Sequence, residues 1–325
     1  MKKILASLLA AVAFTCAIAQ TGVPGQISSS FVQVRDVGAG TPVQRPCMLW
    51  LPDTYDTDDT WYPLIVFLHG FGDGGPADGS NVNLLKNYGP FHFLDNEEWD
   101  GTGNYTGEFG STTRKFIVFG MQGLAWQNIN LDEFEYALGQ LLLRYRIDPN
   151  RIILTGISGG GESTMLYTYD LNRTIRPTHI IPMSVPDAGS STSISTLAQG
   201  GMKVWAFASD YTSSNYYITT SAIVSNFNSA VSGSAKFTSQ TGTHCCWEAF
   251  YDPDFTESDG IDDLNVYDWA AKQLFHYSEE PAYFSWDYKF AGFITTGQST
   301  NQEHVIPAPL FQFIHQMEAF PHLQL

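Results

Sequence analysis

The most constraining stretch of this 325-residue chain is Ile152-Ile153-Leu154-Thr155-Gly156-Ile157-Ser158-Gly159-Gly160-Gly161, where a β-branched apolar segment runs straight into a glycine–serine–glycine turn. Such a segment reads as a strand buried on both faces. Glycine at 156 and at 160 lets that strand turn sharply into a helix, because a side chain at either position would collide with neighbouring backbone. The hydroxyl of Ser158 is then left exposed at the turn. In a chain with 29 glycines a Gly-x-Ser-x-Gly match carries little weight alone, so its flanks decide what it is.

Those flanks alternate apolar segments with helical patterns, which predicts an α/β chain: a mostly parallel, twisted central sheet with helices on both faces. Strands are expected at residues 48–51, 63–68 and 116–119. A helix follows over 131–145, with Asp132 and Glu133 in the first turn, where the helix dipole favours acids. Asp148-Pro149-Asn150 reads as the turn that ends this helix and leads into the strand at Ile152. After the serine turn the pattern predicts a helix over 162–169, strands over 179–183 and 202–208, a helix over 218–230, a strand over 235–239 and a closing helix over 261–277. Beyond Glu279, residues Tyr283, Phe284, Trp286, Tyr288, Phe290 and Phe293 crowd together. So many aromatics disfavour disorder, and the tail 279–325 is expected to pack on the body.

Residues 1–19 read as a secretory signal, with Lys2 and Lys3 before an apolar stretch and Ala17-Ile18-Ala19 as the cleavage site. Cys16 is a poor lipidation site, since Phe14 and Thr15 precede it. Neither the leader nor any later segment is long and apolar enough for a helix that spans a bilayer. A secreted or periplasmic protein is therefore expected, its catalytic body at 20–278. Cleavage leaves 306 residues, enough for one large domain, and no internal repeat interrupts them. Losing Lys2 and Lys3 from 16 basic residues leaves 14 against 33 acidic, a net charge of −19. That charge repels phosphate backbones and anionic membranes, which argues against nucleic acid as a partner.

Cys47, Cys245 and Cys246 remain after cleavage, an odd number. Pairing of Cys47 with Cys245 or Cys246 is expected over a bond between neighbours, whose Cα atoms lie only about 3.8 Å apart. No C-x-x-C or H-x-x-x-H grouping accompanies them, so no metal is expected.

Acyl transfer by a serine needs a base, a group to orient the base, and two N–H donors for the oxyanion. Leu68-His69-Gly70-Phe71-Gly72-Asp73-Gly74-Gly75 follows directly on a buried strand, where the first donor belongs. The expected donors are the backbone N–H groups of Phe71 and Gly159. His69, leading into that loop, is expected to brace it through hydrogen bonds. The base is expected at His244, in Gly242-Thr243-His244-Cys245-Cys246-Trp247 just past the last strand. The acid falls to Asp210, at the end of the 202–208 strand, with Asp187 and then Asp252 as alternatives; chain order, serine before acid before histidine, suits all but Asp252.

Taken together, Tyr62–Gly70, Ile147–Gly160 and Gly242–Trp247 resemble the α/β-hydrolase superfamily, and within it the secreted esterases grouped with feruloyl esterases and polyhydroxybutyrate depolymerases. The resemblance covers about residues 45–277. It implies Ser158 as nucleophile, His244 as base, and Phe71 with Gly159 as oxyanion donors. At the acid the chain departs from the family, whose strict spacing would place Thr212 there rather than Asp210. The expected function is a secreted serine esterase that works through an acyl-enzyme without metal or organic cofactor. Its partner would be an ester substrate, possibly polymeric: a feruloylated or acetylated polysaccharide, or a polyester. A secreted peptidase, or a non-catalytic binding protein on the same scaffold, are the other readings, and oligomeric state stays open.

Overall fold

The computed structural model describes residues 22–35, 42–107 and 110–276; the expected leader, Cys16 and the aromatic tail lie outside the described residues. Among these residues one sheet has eight strands: β1 Ile27–Arg35, β2 Pro42–Trp50, β3 Tyr62–Leu68, β4 Ile117–Met121, β5 Ile147–Ile157, β6 His179–Met183, β7 Lys203–Ser209 and β8 Ala235–Gln240. Their spatial order is β1-β2-β4-β3-β5-β6-β7-β8. β2 runs antiparallel to both neighbours, and every later pair is parallel. Seven α-helices accompany the sheet among the described residues: α1 Pro90–Asp95, α2 Leu131–Arg144, α3 Gly159–Tyr169, α4 Ile194–Gln199, α5 Asn215–Ala230, α6 Glu248–Tyr251 and α7 Val266–His276.

Every residue of β3 is buried, as its unbroken apolar sequence requires, and the side chains alternate between two cores. Leu64, Val66 and Leu68 pack with Phe134 and Leu138 of α2, Met165 of α3 and Phe227 of α5. Ile65 and Phe67 face the other way, into a cluster with Phe91 of α1, Phe250 of α6 and Trp269 of α7. A mostly parallel sheet in this order, covered on both faces and broken after β5 by a sharp strand-to-helix turn, is the α/β-hydrolase fold. Because β3 to β8 are parallel, the loops after Leu68, Ile157, Ser209 and Gln240 all emerge at one edge, the carboxyl edge where ligands bind in open α/β sheets.

Several expected boundaries move, each for a local reason. β5 starts at Ile147 rather than Ile152: Tyr62 pairs with Ile147, the register then shifts, and Leu64 pairs with Ile152. Pro149 lies in that irregularity, where no ladder donor is needed. α3 starts at Gly159, directly after the serine, and not at residue 162. α5 starts earlier than expected because Ser214 caps it, its hydroxyl accepting the Tyr217 N–H at 3.1 Å. α7 starts at Val266 rather than residue 261, because the Asn265 side chain accepts the N–H groups of Tyr267 and Asp268 at 2.9 and 2.8 Å. β1 and the hairpin of Thr102–Gly107 with Gly110–Lys115 had no counterpart in the sequence pattern.

The expected cysteine pairing is wrong. Cys245 is bonded to Cys246, with Cα atoms 3.8 Å apart, and Cys47 is free. Cys47 is buried in β2 against the Ser30 hydroxyl, 3.4 Å away. The Cys245 loop is tied through His244 to the end of β5, three strands away. Three strand spacings are about 14 Å, twice what a disulfide spans. The neighbours can meet because Cys246 takes φ +66°, which breaks the divergence of adjacent side chains in extended chain.

Candidate active site

Ser158 stands between β5 and α3 at φ 52° and ψ −119°, a backbone conformation few non-glycine residues adopt. The packing around it enforces the turn. A Cβ on Gly156 would lie 2.4 Å from the Gly160 carbonyl oxygen, and one on Gly160 would lie 1.9 Å from the Leu68 carbonyl oxygen. The elbow is thus pressed against the end of β3, and no other residue type fits at either position. The Ser158 N–H donates to the Met183 carbonyl at 2.9 Å, which ties the elbow to β6 as well.

His244 meets this serine. Its Nε2 lies 2.8 Å from Ser158 Oγ, and its Nδ1 lies 3.0 Å from Asp210 Oδ1. Asp210 is the first residue past β7 and is 2 % exposed, so Nδ1–H donates to a carboxylate shielded from water. That bond leaves Nε2 unprotonated to accept from the serine hydroxyl. The other two acids serve their own turns: Asp187 Oδ1 accepts the Gly189 N–H, and Asp252 Oδ1 accepts that of Asp254, both at 2.8 Å. Thr212 is exposed. The imidazole is also flanked by rings, with Tyr216 stacked on it at 3.7 Å and Trp247 edge-on at 4.9 Å.

Phe71 opens a 3₁₀ turn (Phe71–Asp73), and Gly159 is the first residue of α3. Both are helix-start positions whose N–H groups have no partner within their own helix. They adjoin: the point a Gly159 Cβ would occupy is 3.2 Å from the Phe71 ring and 3.3 Å from Asn128 Oδ1. The N-terminus of α3 adds its dipole at the same spot.

His69 is buried behind this loop. The Gly123 N–H donates to its Nε2 at 2.8 Å, so Nδ1 carries the proton and donates to the Gly70 carbonyl at 2.7 Å. Burial lowers its pKa, and the ring stays a neutral brace, as expected from its place in the sequence. Gln122 completes the brace, its amide donating to the Asp73 and Asn81 carbonyls at 2.9 and 2.8 Å. The Asp73 carboxyl, raised by burial against the opposing hydrogen bond from Asn87, closes the loop from inside. Glu162 lies one turn into α3; burial raises its carboxyl too, ahead of the lowering bond from Asn128.

Sequence reasoning missed Gln122, Asn128 and Tyr216. None stands in a recognisable spacing, because each reaches the site through the fold rather than along the chain. No group of three or more His, Cys, Asp or Glu among the described residues is arranged to hold a metal ion. No helix among them is long and apolar enough to cross a membrane.

The chain matches no protein-family model and no curated protein. Among solved structures it is similar to a thermostable esterase, at 19 % identity and a TM-score of 0.45 over 76 % of this chain; it spans 60 % of that esterase's length. It is also similar to the feruloyl esterase module from Clostridium thermocellum complexed with sinapinate, at 16 % identity, TM-score 0.44, and 71 % and 88 % of the two chains. S-formylglutathione hydrolase from Staphylococcus aureus gives 13 % identity and a TM-score of 0.44, over 71 % and 94 %.

Proposed function

We propose that this chain is a serine carboxylic-ester hydrolase with Ser158, His244 and Asp210 as its triad. The observation that carries the reading is the hydrogen-bonded chain from Ser158 through His244 to the buried Asp210, at the carboxyl edge of the sheet. Ser158 Oγ attacks the ester carbonyl while His244 Nε2 takes its proton. The oxyanion that forms lies against the N–H groups of Phe71 and Gly159, donors that are each worth about 10²–10³ in rate. His244 returns the proton to the departing alkoxide, leaving an acyl-enzyme on Ser158. A water then attacks the acyl carbon, with His244 as base, and the acid product leaves. Asp210 holds the imidazole in the tautomer that both steps need.

The signal-like residues 1–19 support export, and with it an ester found outside the cell: a feruloylated or acetylated polysaccharide, or a polyester. Phe71 and Tyr211 are exposed beside the oxyanion loop and the acid, and Trp126 is 80 % exposed in the loop after β4. Rings in these places suit an aromatic acyl group or a sugar.

The test is turnover of short-chain aryl esters and labelling by an organophosphonate. Wild type should turn over and take the label on Ser158, and Ser158→Ala and His244→Ala should do neither at a measurable rate. No turnover and no adduct would sink the reading. Asp210→Asn should lower kcat about 10⁴-fold by presenting the wrong tautomer, while Asp187→Asn stays near wild type.

A further inference from the structure

We infer that Tyr216 is a positioning residue, whose ring face fixes the plane of the His244 imidazole for proton transfer. It rests on the triad reading above. Two hydrogen bonds hold the imidazole, one at each nitrogen, to Asp210 and Ser158. Bonds at both ends fix the two nitrogens, and rotation about the line joining them is resisted only by the Cγ–Cβ bond, which comes from a loop outside helix and strand. That rocking tilts the Nε2 lone pair away from Ser158 and from the leaving group. A flat surface against one face stops it.

Tyr216 supplies the surface, with ring centroids 3.7 Å apart and planes 20° from parallel. Trp247 meets the imidazole at 81° and presents no parallel face. The tyrosine is itself held firmly in the first turn of α5. Asn215 donates to the Pro186 carbonyl at 2.6 Å, and the Thr220 hydroxyl accepts the Val185 N–H at 2.9 Å while donating to the Tyr216 carbonyl at 2.7 Å. The start of α5 is thus tied to the segment after β6, whose Met183 also holds the Ser158 N–H. Nucleophile and stacking ring share one anchor. The His244 loop lies outside helix and strand, so the plane of its imidazole is set from outside. An electron-rich face also favours the imidazolium that forms as the serine proton is taken.

The test compares Tyr216→Leu, Tyr216→Gln and Tyr216→Phe in the full chain, using an aryl acetate and the low-field proton resonance of His244 Nδ1–H. Leu and Gln should lower kcat about 10–100-fold, the cost of a misplaced reacting group, with KM within about twofold. Phe keeps the ring and should stay within about twofold in both. The resonance should be sharp in wild type and Phe and exchange-broadened in Leu and Gln, a change that loss of packing alone would not confine to one proton. Leu and Gln are both better helix formers than Tyr, so α5 should stay folded in each, and two replacements of opposite polarity at this half-exposed site separate loss of the ring from a change in polarity. Unchanged kcat in Leu and Gln overturns the inference. So does equal loss in Phe, which would make the hydroxyl the active part, or a rise in KM alone, which would make Tyr216 a substrate contact. Because Ser158→Ala and phosphonate labelling test the triad without Tyr216, an active, labelled wild type with indifferent Tyr216 variants sinks this inference only.

Discussion

Gly160→Ala measures how tightly the serine elbow is pressed on the sheet. The added Cβ would sit 1.9 Å from the Leu68 carbonyl oxygen, 2.5 Å from its carbon and 2.6 Å from the His69 carbonyl oxygen, where real Cβ atoms keep at least 3.0 Å. All three obstacles are backbone, so no side-chain rotation relieves them. Either the elbow or the end of β3 must give by about 1 Å, a displacement that costs on the order of 10²-fold when it reaches reacting groups. It reaches them on both sides, since Ser158 is two residues before the new methyl and Phe71 three residues after Leu68. Overpacking of this kind destabilises by about 3 kcal/mol, which in a domain this size lowers Tm by about 6–12 °C. Gly72→Ala is the control for stability, because its Cβ meets nothing within 4 Å. Thermal unfolding followed by fluorescence, with kcat/KM on an aryl acetate, reads both effects. A Gly160→Ala protein with wild-type Tm and wild-type kcat/KM would refute the close approach and the account of the elbow built on it.

Arg45 meets Glu133 with two hydrogen bonds of 2.7 Å, joining β2 to α2 with side chains only 12 % and 6 % exposed. Arg45→Met should therefore cost about 3–5 kcal/mol in denaturant unfolding, and adding Glu133→Leu should recover most of it. Burial holds His179 down to about 4, so the fold keeps it neutral while the unfolded chain takes up a proton near 6.5. Its contribution is present above pH 6.5 and lost as pH falls toward 4, up to about 3 kcal/mol, and His179→Met should flatten stability over that window in pH-dependent denaturation. Reducing the Cys245–Cys246 bond with a phosphine frees the chain next to His244 but opens the smallest of loops, so stability should fall by only about 1 kcal/mol while kcat falls by more than the roughly fivefold that about 1 kcal/mol on the barrier would give. Alkylation of the reduced native protein should then mark Cys245 and Cys246 by mass spectrometry and spare Cys47, whose buried thiol is pushed up to about 11.

The parts of the fold legible in sequence are those where burial leaves little choice. β3 and Ile152–Leu154 of β5 are covered on both faces, so their sequences read as continuous apolar runs. β1 is an edge strand with three consecutive serines, Ser28 to Ser30, and its place is set by pairing with β2 rather than by composition. The start of α3 was hidden for the opposite reason. Gly159-Gly160-Gly161 has poor helix propensity, yet the turn needs it, because the Leu68 carbonyl at the end of β3 leaves no room for a side chain at 160 and the Met183 carbonyl of β6 none at 161. The caps of α5 and α7 were within reach, since Ser214 and Asn265 are ordinary capping residues just ahead of the helices they open.

The acid shows what spacing along the chain lacks and strand order supplies. Asp187 follows β6, next to β5, and Asp210 follows β7, two strands from β5. A carboxylate bonded to one nitrogen of an imidazole and a hydroxyl bonded to the other, at the distances found here, lie roughly 8 Å apart across the ring. Neighbouring parallel strands are separated by about 4.8 Å and two spacings give nearly 10 Å, so a bridge of this length suits an acid that follows the second strand over. The imidazole must also arrive from outside that gap, and His244 does so from β8, which lies beyond β7 at the edge of the sheet. In this fold the carboxylate just past β7 is the one that the histidine after β8 bridges to the serine after β5, a placement that strand order explains and the count of residues does not.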